Sequence, residues 1–229
     1  MSLKFLVLDL DNTLYPRGSG VMEEIGRRIQ MWLCKELDLT WERATSLRQE
    51  YLRDYGTTMG GLMARHDIDI KDFLSFVHAI PIGEYLGPDP ALRGMLARIP
   101  LRKVVYTNAT SSHARRVLST LKVLEQFEEI IGIEEVGLHN KFNQEAYARM
   151  LVLLDAAGRE CIMVEDSPRN LPPAKALGMI TVLVGEHQGS APRDGAENAI
   201  DFVVEDVLEV EEVIDRVLAG SERTAFLDQ

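Results

Sequence analysis

The stretch that decides the fold is KFLVLDLDNT, residues 4–13. Its first five residues are mainly apolar, as expected for a strand that is buried on both faces of a sheet. Two carboxylates, Asp9 and Asp11, follow directly. Like charges at the end of a buried strand repel each other and resist ionisation, and a divalent cation would offset both effects. Ligands that are all oxygen favour Mg²⁺ over Zn²⁺.

Strand-like and helix-like patterns alternate along the rest of the chain. Short β-rich runs occur at 103–106, 129–133, 161–165, 180–184 and 202–203. Helical patterns occupy 112–121, 145–155, 171–177 and 207–218. Strands that alternate with helices predict parallel βαβ units. We therefore predict an α/β fold with a doubly wound, Rossmann-like parallel sheet.

One segment after the first strand breaks this alternation. Between turn-rich borders at 15–20 and 87–90, the pattern is helical at 22–37, 41–55 and 72–78 and contains no convincing strand. We predict a helical cap over residues 17–86, inserted into a core of residues 1–16 and 87–220. A flexible tail is expected at 221–229.

Polar residues also follow the later strands. Thr107 and Asn108 stand before a predicted helix, whose first turn can bind phosphate oxygens. Glu165 and Asp166 form a second acidic pair. Open α/β sheets bind ligands beyond the carboxyl ends of their strands, so these groups are expected near Asp9.

Composition narrows the classes of partner. The chain has 229 residues, is 46% hydrophobic and carries a net charge of −11. This charge disfavours nucleic acid and anionic membranes as partners, and any attraction of an anionic substrate must be local. The two cysteines form no CxxC pair, and we expect a cytoplasmic protein. Nothing in the sequence indicates the oligomeric state.

This set of motifs resembles the haloacid dehalogenase superfamily over roughly residues 3–210. Its phosphatases carry a DxDxT motif after the first strand, which residues 9–13 match as DLDNT. Thr107 matches the second motif, and Glu165 with Asp166 matches the fourth. Lys141 is the candidate for the lysine of the third.

The resemblance implies a covalent mechanism. Asp9 would be the nucleophile that forms an aspartyl-phosphate, and Asp11 would protonate the leaving group and then activate water. Thr107, Asn108 and Lys141 would bind the phosphate oxygens.

It also implies a Mg²⁺ site. Asp9, the main-chain carbonyl of Asp11 and Asp166 would hold the ion, with Glu165 behind these ligands or acting through a water molecule.

The third motif departs from the family pattern. The usual Lys-Pro is replaced here by Lys141 and Phe142, which bears on local geometry more than on the assignment. Lys175 is an alternative, but its mid-helix position is typical of a solvated surface, so Lys141 is favoured. His113 follows the predicted phosphate loop, so its position allows a place near an anion, but a helix surface is favoured.

The cap resembles that of the pyrimidine 5′-nucleotidase subgroup, notably at 11–16, 51–62, 66–69 and 72–78. The implied substrates are nucleoside monophosphates such as UMP or CMP. Tyr55, Thr57 and Thr58 are candidate substrate contacts, although 56–58 also fits a helix-terminating turn and Tyr55 also fits packing against Tyr51. The alternatives are a sugar-phosphate phosphatase, a β-phosphoglucomutase-like phosphotransferase and, more remotely, a non-catalytic binding module.

Overall fold

A computed structural model describes residues 3–185 and 196–227 of the chain. Its sheet has six parallel strands in the order β3-β2-β1-β4-β5-β6. The strands are β1 (Phe5–Leu8), β2 (Arg102–Tyr106), β3 (Glu129–Ile131), β4 (Cys161–Glu165), β5 (Ile180–Val184) and β6 (Phe202–Val204). The α/β class and the doubly wound parallel sheet are therefore confirmed, with each strand within about two residues of its predicted bounds.

Two groups of helices accompany the sheet. The helices between β1 and β2 are α1 (Val21–Glu36), α2 (Trp41–Tyr55), α3 (Thr58–Arg65), α4 (Ile70–His78) and α5 (Pro90–Arg98). The later helices are α6 (Ser111–Leu121), α7 (Gln144–Leu153), α8 (Leu171–Ala176) and α9 (Val210–Leu227).

Both faces of the sheet are covered. Leu6 and Leu8 pack on one face with apolar side chains of α5, α6 and α9. Phe5 and Val7 point to the other face, where they pack with side chains of α7 and α8. Because successive side chains of a strand alternate between faces, the all-apolar run of β1 requires this double layer.

Helices α1–α4 lie within the segment predicted as the cap and share an apolar cluster. Its buried members from the cap are Trp32, Leu33, Ala44, Tyr51, Met59, Leu62, Phe73, Leu74 and Val77. Ile133 is the one buried member of this cluster that comes from the core. Four other buried residues of the same segment, Val21, Ile25, Ile80 and Ile82, pack instead in the cluster that contains Leu6 and Leu8. The cap therefore has an apolar cluster of its own and is also anchored in the core.

Helix α3 was not predicted. Thr57 begins it by accepting a hydrogen bond from the N–H of Gly60 at 2.9 Å. A side chain at residue 61 would not fit, because its Cβ would lie 2.1 Å from Cγ of Tyr51. Glycine has a low helix propensity, so Gly60 and Gly61 argue against a helix at the level of the sequence. In the structure, their lack of side chains allows α3 to pack tightly on α2.

Helix α5 was also missed, because its first residue, Pro90, lies in a turn-rich stretch. Asp89 caps it by accepting from the N–H of Leu92 at 2.9 Å, and Pro90 suits the first helical turn. Helix α9 continues past the predicted end at residue 218 as helical backbone to Leu227, through most of the segment predicted as a tail. None of the described helices is long and apolar enough to cross a membrane.

Candidate active site

Three buried carboxylates meet at the carboxyl ends of β1 and β4. The N–H of Asp9 donates to the carbonyl of Val164 at 2.9 Å, which continues the pairing of the two strands by one residue. Oxygen atoms of Asp9, Glu165 and Asp166 lie within 4.8 Å of one another. The backbone of the sheet therefore brings together two predicted metal ligands and the acidic residue beside them.

Lys141 is the cation of this cluster. Its fully buried ammonium donates to Oδ1 of Asp9 and, at 2.9 Å, to Oε2 of Glu165. The main-chain N–H of Lys141 donates to Oδ1 of Asn108 at 2.9 Å, so the loop after β2 positions the loop that carries Lys141. Lys175 instead pairs with Asp201 on the surface, outside the cluster.

Burial and mutual repulsion make the carboxylates hard to ionise together. Burial, followed by repulsion from Glu165, raises the pKa of Asp9 to about 7, although Lys141 partly offsets both effects. Burial also raises the pKa of Glu165 and of Asp166. Three carboxylates therefore face one lysine, and the donor set of hard oxygen atoms fits Mg²⁺.

Neighbouring donors orient these carboxylates. The hydroxyl of Thr13 donates to Oδ2 of Asp9 at 3.1 Å, and the N–H of Ser167 donates to Oε1 of Glu165 at 3.0 Å. Arg17, at the start of the cap segment, donates to Oδ2 of Asp166 at 2.6 Å. Each of the three carboxylates therefore accepts a hydrogen bond from a loop residue in addition to its contacts within the cluster.

The Asp11 carboxylate lies outside this cluster of three. Tyr15 donates its hydroxyl hydrogen to Oδ1 of Asp11 at 2.5 Å, and Nε2 of His113 lies 3.5 Å from the same oxygen. Burial acts to raise the pKa of Asp11, but His113 and Tyr15 outweigh it and keep the pKa below its ordinary value. Its predicted metal contact is through the main-chain carbonyl and stays a prediction.

The surface position expected for His113 is wrong. The residue is fully buried, and its ring stacks on that of His78 from α4, with centroids 4.7 Å apart. Burial keeps the pKa of His78 at about 3, so this ring is neutral at physiological pH. The stacked pair joins the cap to the acid–base candidate Asp11.

The loop after β2 has the form expected of an anion-binding turn. Thr107 is buried, and its hydroxyl accepts from the N–H of Ala109 at 3.0 Å. Thr110 caps α6 by accepting from the N–H of His113 at 3.2 Å. Phosphate binding by Thr107 and Asn108 stays a prediction that this geometry permits.

A cavity of about 220 Å³ lies between the cap and the core. Asp11 and Asn108 line it from the core, and Thr57, Thr58 and Arg48 line it from the cap, among mainly apolar side chains. A larger cavity of about 630 Å³ lies beyond His78, but none of Asp9, Asp11 and Lys141 lines it. The smaller cavity is therefore the better candidate for the substrate.

The three cap candidates fare differently in the structure. Thr57 and Thr58 both line the cavity; Thr57 also caps α3, whereas the hydroxyl of Thr58 is buried and forms no hydrogen bond with the described residues. Tyr55 does not line this cavity; its ring packs edge-on against Tyr51, with centroids 5.7 Å apart. Their contact with substrate stays a prediction.

Sequence reasoning missed Tyr15, Arg17, Arg48 and His113. Tyr15 follows Asp11 by four residues, a spacing that brings side chains together in a turn. The remaining three reach the site through the packing of separate elements, for which the sequence carries no local signal.

Comparisons with known proteins agree with this geometry. Residues 3–178 match the family model described as "Hydrolase: haloacid dehalogenase-like hydrolase". The chain is 26% identical to glyceraldehyde 3-phosphate phosphatase of Methanocaldococcus jannaschii over 197 residues, which cover 80% of this chain and 85% of that protein. Among solved structures, a haloacid dehalogenase-type phosphatase from Thermococcus onnurineus superposes with a TM-score of 0.63 at 17% identity, over 93% of this chain and 98% of that one.

A shorter match links the chain to phosphate metabolism protein 8 of Saccharomyces cerevisiae. The two are 27% identical over 136 residues, which is 56% of this chain. The matched region spans only 42% of the yeast protein.

Proposed function

Because the chain belongs to the haloacid dehalogenase-like hydrolases, we propose that it is a Mg²⁺-dependent phosphomonoester hydrolase that forms an aspartyl-phosphate on Asp9. One observation carries the proposal. Asp9 ends the central strand β1 beside the buried Lys141, Glu165 and Asp166, and Asp11 lies two residues further along the chain. A nucleophile, an acid–base group and a cationic partner are therefore available at one strand end.

The first chemical step is attack by a carboxylate oxygen of Asp9 on phosphorus. The bond from phosphorus to the leaving oxygen breaks, and Asp11 in its protonated form gives that oxygen a proton. Lys141 stays beside Asp9 and stabilises the negative charge that moves through the transferring phosphoryl group.

The second step restores the enzyme. Asp11, now a carboxylate, takes a proton from water, whose oxygen attacks phosphorus. The acyl-phosphate bond breaks, and inorganic phosphate and the Asp9 carboxylate are released. Tyr15 and His113, which hold the pKa of Asp11 below its ordinary value, favour the carboxylate form that this second step uses.

Asp9, Asp166 and the Asp11 carbonyl would hold Mg²⁺, with Glu165 behind them. When bound, the ion supplies positive charge near the phosphoryl oxygens. Two observations support the assignment of Mg²⁺ to this site. The possible ligands are all oxygen atoms, and the buried carboxylates have raised pKa values.

For the substrate, we propose a nucleoside 5′-monophosphate such as UMP or CMP. The cap cavity supports this choice, because apolar walls suit the faces of a base. A second candidate is a small phosphorylated sugar, which is favoured by the similarity to a protein named glyceraldehyde 3-phosphate phosphatase.

The test is a panel of nucleotides and sugar phosphates assayed for phosphate release with Mg²⁺ and with EDTA. We expect Mg²⁺-dependent release from UMP and CMP that is lost in Asp9→Asn and strongly reduced in Asp11→Asn. Acid quenching during turnover should trap a phosphate adduct on the peptide that contains Asp9, detected by mass spectrometry. Phosphate release by Asp9→Asn at the wild-type rate would contradict the proposed mechanism.

The same panel separates the alternatives. A phosphotransferase would move phosphate to another hydroxyl with little net release. A binding module would bind ligands with no turnover, and preference for sugar phosphates over UMP and CMP would reject the nucleotide assignment.

A further inference from the structure

Arg48 lines the cap cavity, and its side chain forms no hydrogen bond or ion pair within the described part of the structure. It lies on α2 and lines the 220 Å³ cavity with its side chain half-buried. Its Nε–H is buried without a hydrogen-bond acceptor, and no carboxylate among the side chains described, those of residues 3–185 and 198–219, pairs with the guanidinium.

An unpaired guanidinium in such a place is costly. The buried Nε–H of Arg48 has lost its hydration and gains no hydrogen bond in return. Arginine stays protonated under these conditions, so the donors remain and require acceptors. A ligand that brings acceptor oxygens would supply them.

Gly26 of helix α1 leaves room for the guanidinium of Arg48. A Cβ at residue 26 would lie 2.9 Å from Nη2 of Arg48, so the guanidinium occupies the space that the absent side chain of Gly26 leaves free. Glycine in the interior of a helix lowers its stability, and Gly26 offsets this cost by leaving space for the guanidinium of Arg48.

A second polar group at the wall of the cavity also lacks a partner among the described residues. Thr58 is 3% exposed, and its hydroxyl forms no hydrogen bond. The walls around the two groups are apolar: Met22, Ile25, Ile29, Leu52, Met59 and Phe73. Asp11 and Asn108 also line the cavity, so it is continuous with the candidate catalytic site.

We infer that Arg48 and Thr58 form the subsite that recognises the leaving group of the substrate. The subsite takes a small, largely apolar group that carries acceptor oxygens, either the carbonyl edge of a single-ring base or a carboxylate. This inference rests on the proposed phosphatase function for the position of the phosphate. A polyhydroxylated sugar fits poorly, because its hydroxyls would lose water against apolar walls without enough partners.

The test compares substrates that differ in acceptor oxygens. UMP offers base carbonyls, 2-phosphoglycolate offers a carboxylate, ribose 5-phosphate offers hydroxyls, and phenyl phosphate offers an apolar ring with none. We expect Arg48→Met to lower kcat/KM for UMP or 2-phosphoglycolate by about 10- to 100-fold, the range for loss of a charged hydrogen bond. Phenyl phosphate should change by less than about 2-fold.

Two further variants guard against effects on folding. Arg43→Met removes an exposed arginine from the same helix and should leave all four substrates unchanged. Gly26→Ala should displace the guanidinium and reproduce the selective loss while helix α1 becomes more stable. Selective loss in a more stable protein excludes misfolding as the cause.

The outcomes are distinct. The substrate whose kcat/KM depends on Arg48 identifies the acceptor as a base carbonyl or a carboxylate. Equal loss on phenyl phosphate, or preference for ribose 5-phosphate that does not depend on Arg48, overturns the inference.

Calorimetric binding of uridine and of glycolate to wild type and Arg48→Met gives a readout that needs no turnover. Binding that depends on Arg48 in a protein inactive on all four esters would uphold the subsite and reject the phosphatase function. Equal binding by both proteins would reject the subsite.

Discussion

The ammonium group of Lys141 lies 2.9 Å from Oε2 of Glu165 and donates at the same time to Asp9. Burial acts to lower the pKa of Lys141, but the two carboxylates outweigh it and raise the pKa well above its ordinary value. Lys141 therefore stays charged throughout the physiological range, as the partner of two buried carboxylates.

Replacing Lys141 by methionine should remove both activity and stability. Two buried carboxylates would lose their partner, and breaking a buried ion pair typically costs about 3–5 kcal/mol. We expect a drop of that size in the free energy of unfolding, measured with urea in EDTA, and partial recovery with Mg²⁺. Phosphate release should fall by about 10²-fold or more.

Lys175→Met is the matched control. This lysine pairs with Asp201 at the surface, where an ion pair contributes about 0–1 kcal/mol, so stability and activity should stay close to wild type. A larger loss of activity in Lys175→Met than in Lys141→Met would transfer the third-motif role to Lys175.

Without metal, stability should fall as the pH rises. The pKa of Asp9 is about 7 in the folded protein, above its ordinary value of 3.8, so the folded state binds this proton more tightly than the unfolded state does. The free energy of unfolding in EDTA should therefore decrease between about pH 4 and pH 7, by of the order of 3 kcal/mol for this group alone. Denaturant unfolding across this range checks the prediction.

Mg²⁺ should reverse this trend. The ion and the proton compete for the same carboxylates, so stabilisation by Mg²⁺ should be larger at pH 8 than at pH 5. Asp9→Asn has no titrating group at this position and should flatten the decline in EDTA. A stability of the metal-free wild type that rises from pH 4 to pH 7 would contradict the assignment.

Tyr15→Phe should alter the pH dependence of turnover. The variant loses the hydroxyl that donates to Asp11 at 2.5 Å, one of the contacts that hold the pKa of Asp11 down. Ionised Asp11 is needed to activate water, so the acidic limb of the kcat profile should move to higher pH. An acidic limb at the wild-type position would show that Tyr15 does not influence the catalytic carboxyl group.

Phe142 should matter for the cap more than for the chemistry. It is 46% exposed, yet a Cβ at Gly56 would lie 2.9 Å from the Cβ of Phe142, and Arg169 lies over its ring at 4.9 Å. Phe142→Ala should lower the free energy of unfolding by about 1 kcal/mol and accelerate amide hydrogen exchange in the last turn of α2. Val152→Ala, at an 80% exposed position on α7, should change neither.

The sequence predicts the core of this molecule well because strand ends converge. Asp9, Thr107 and Asp166 each follow an apolar run, and a parallel sheet brings such positions to one edge without any long-range information. Lys141 was harder to assign, because its loop is positioned by Asn108 and not by a strand.

Contacts between separate elements could not be predicted in this way. His113 has the sequence context of an ordinary helix residue, and only the packing of α4 against α6 buries it beside Asp11. Likewise, nothing near Arg48 in sequence shows that Gly26 of another helix leaves space for its guanidinium.

The cap's separate apolar cluster has an evolutionary consequence. Since Ile133 is the one buried member of this cluster contributed by the core, substitutions inside it can change the cap with little effect on the strands that precede Asp9 and Asp166. Val21 and Ile25, which pack in the core cluster, and Arg17, which pairs with Asp166, do not have this freedom. Related hydrolases can therefore differ in substrate specificity while they share the same reaction. On the proposed function, substrate selectivity depends mainly on the cap segment and catalysis on the core, so the two properties can change through substitutions in different segments of the chain.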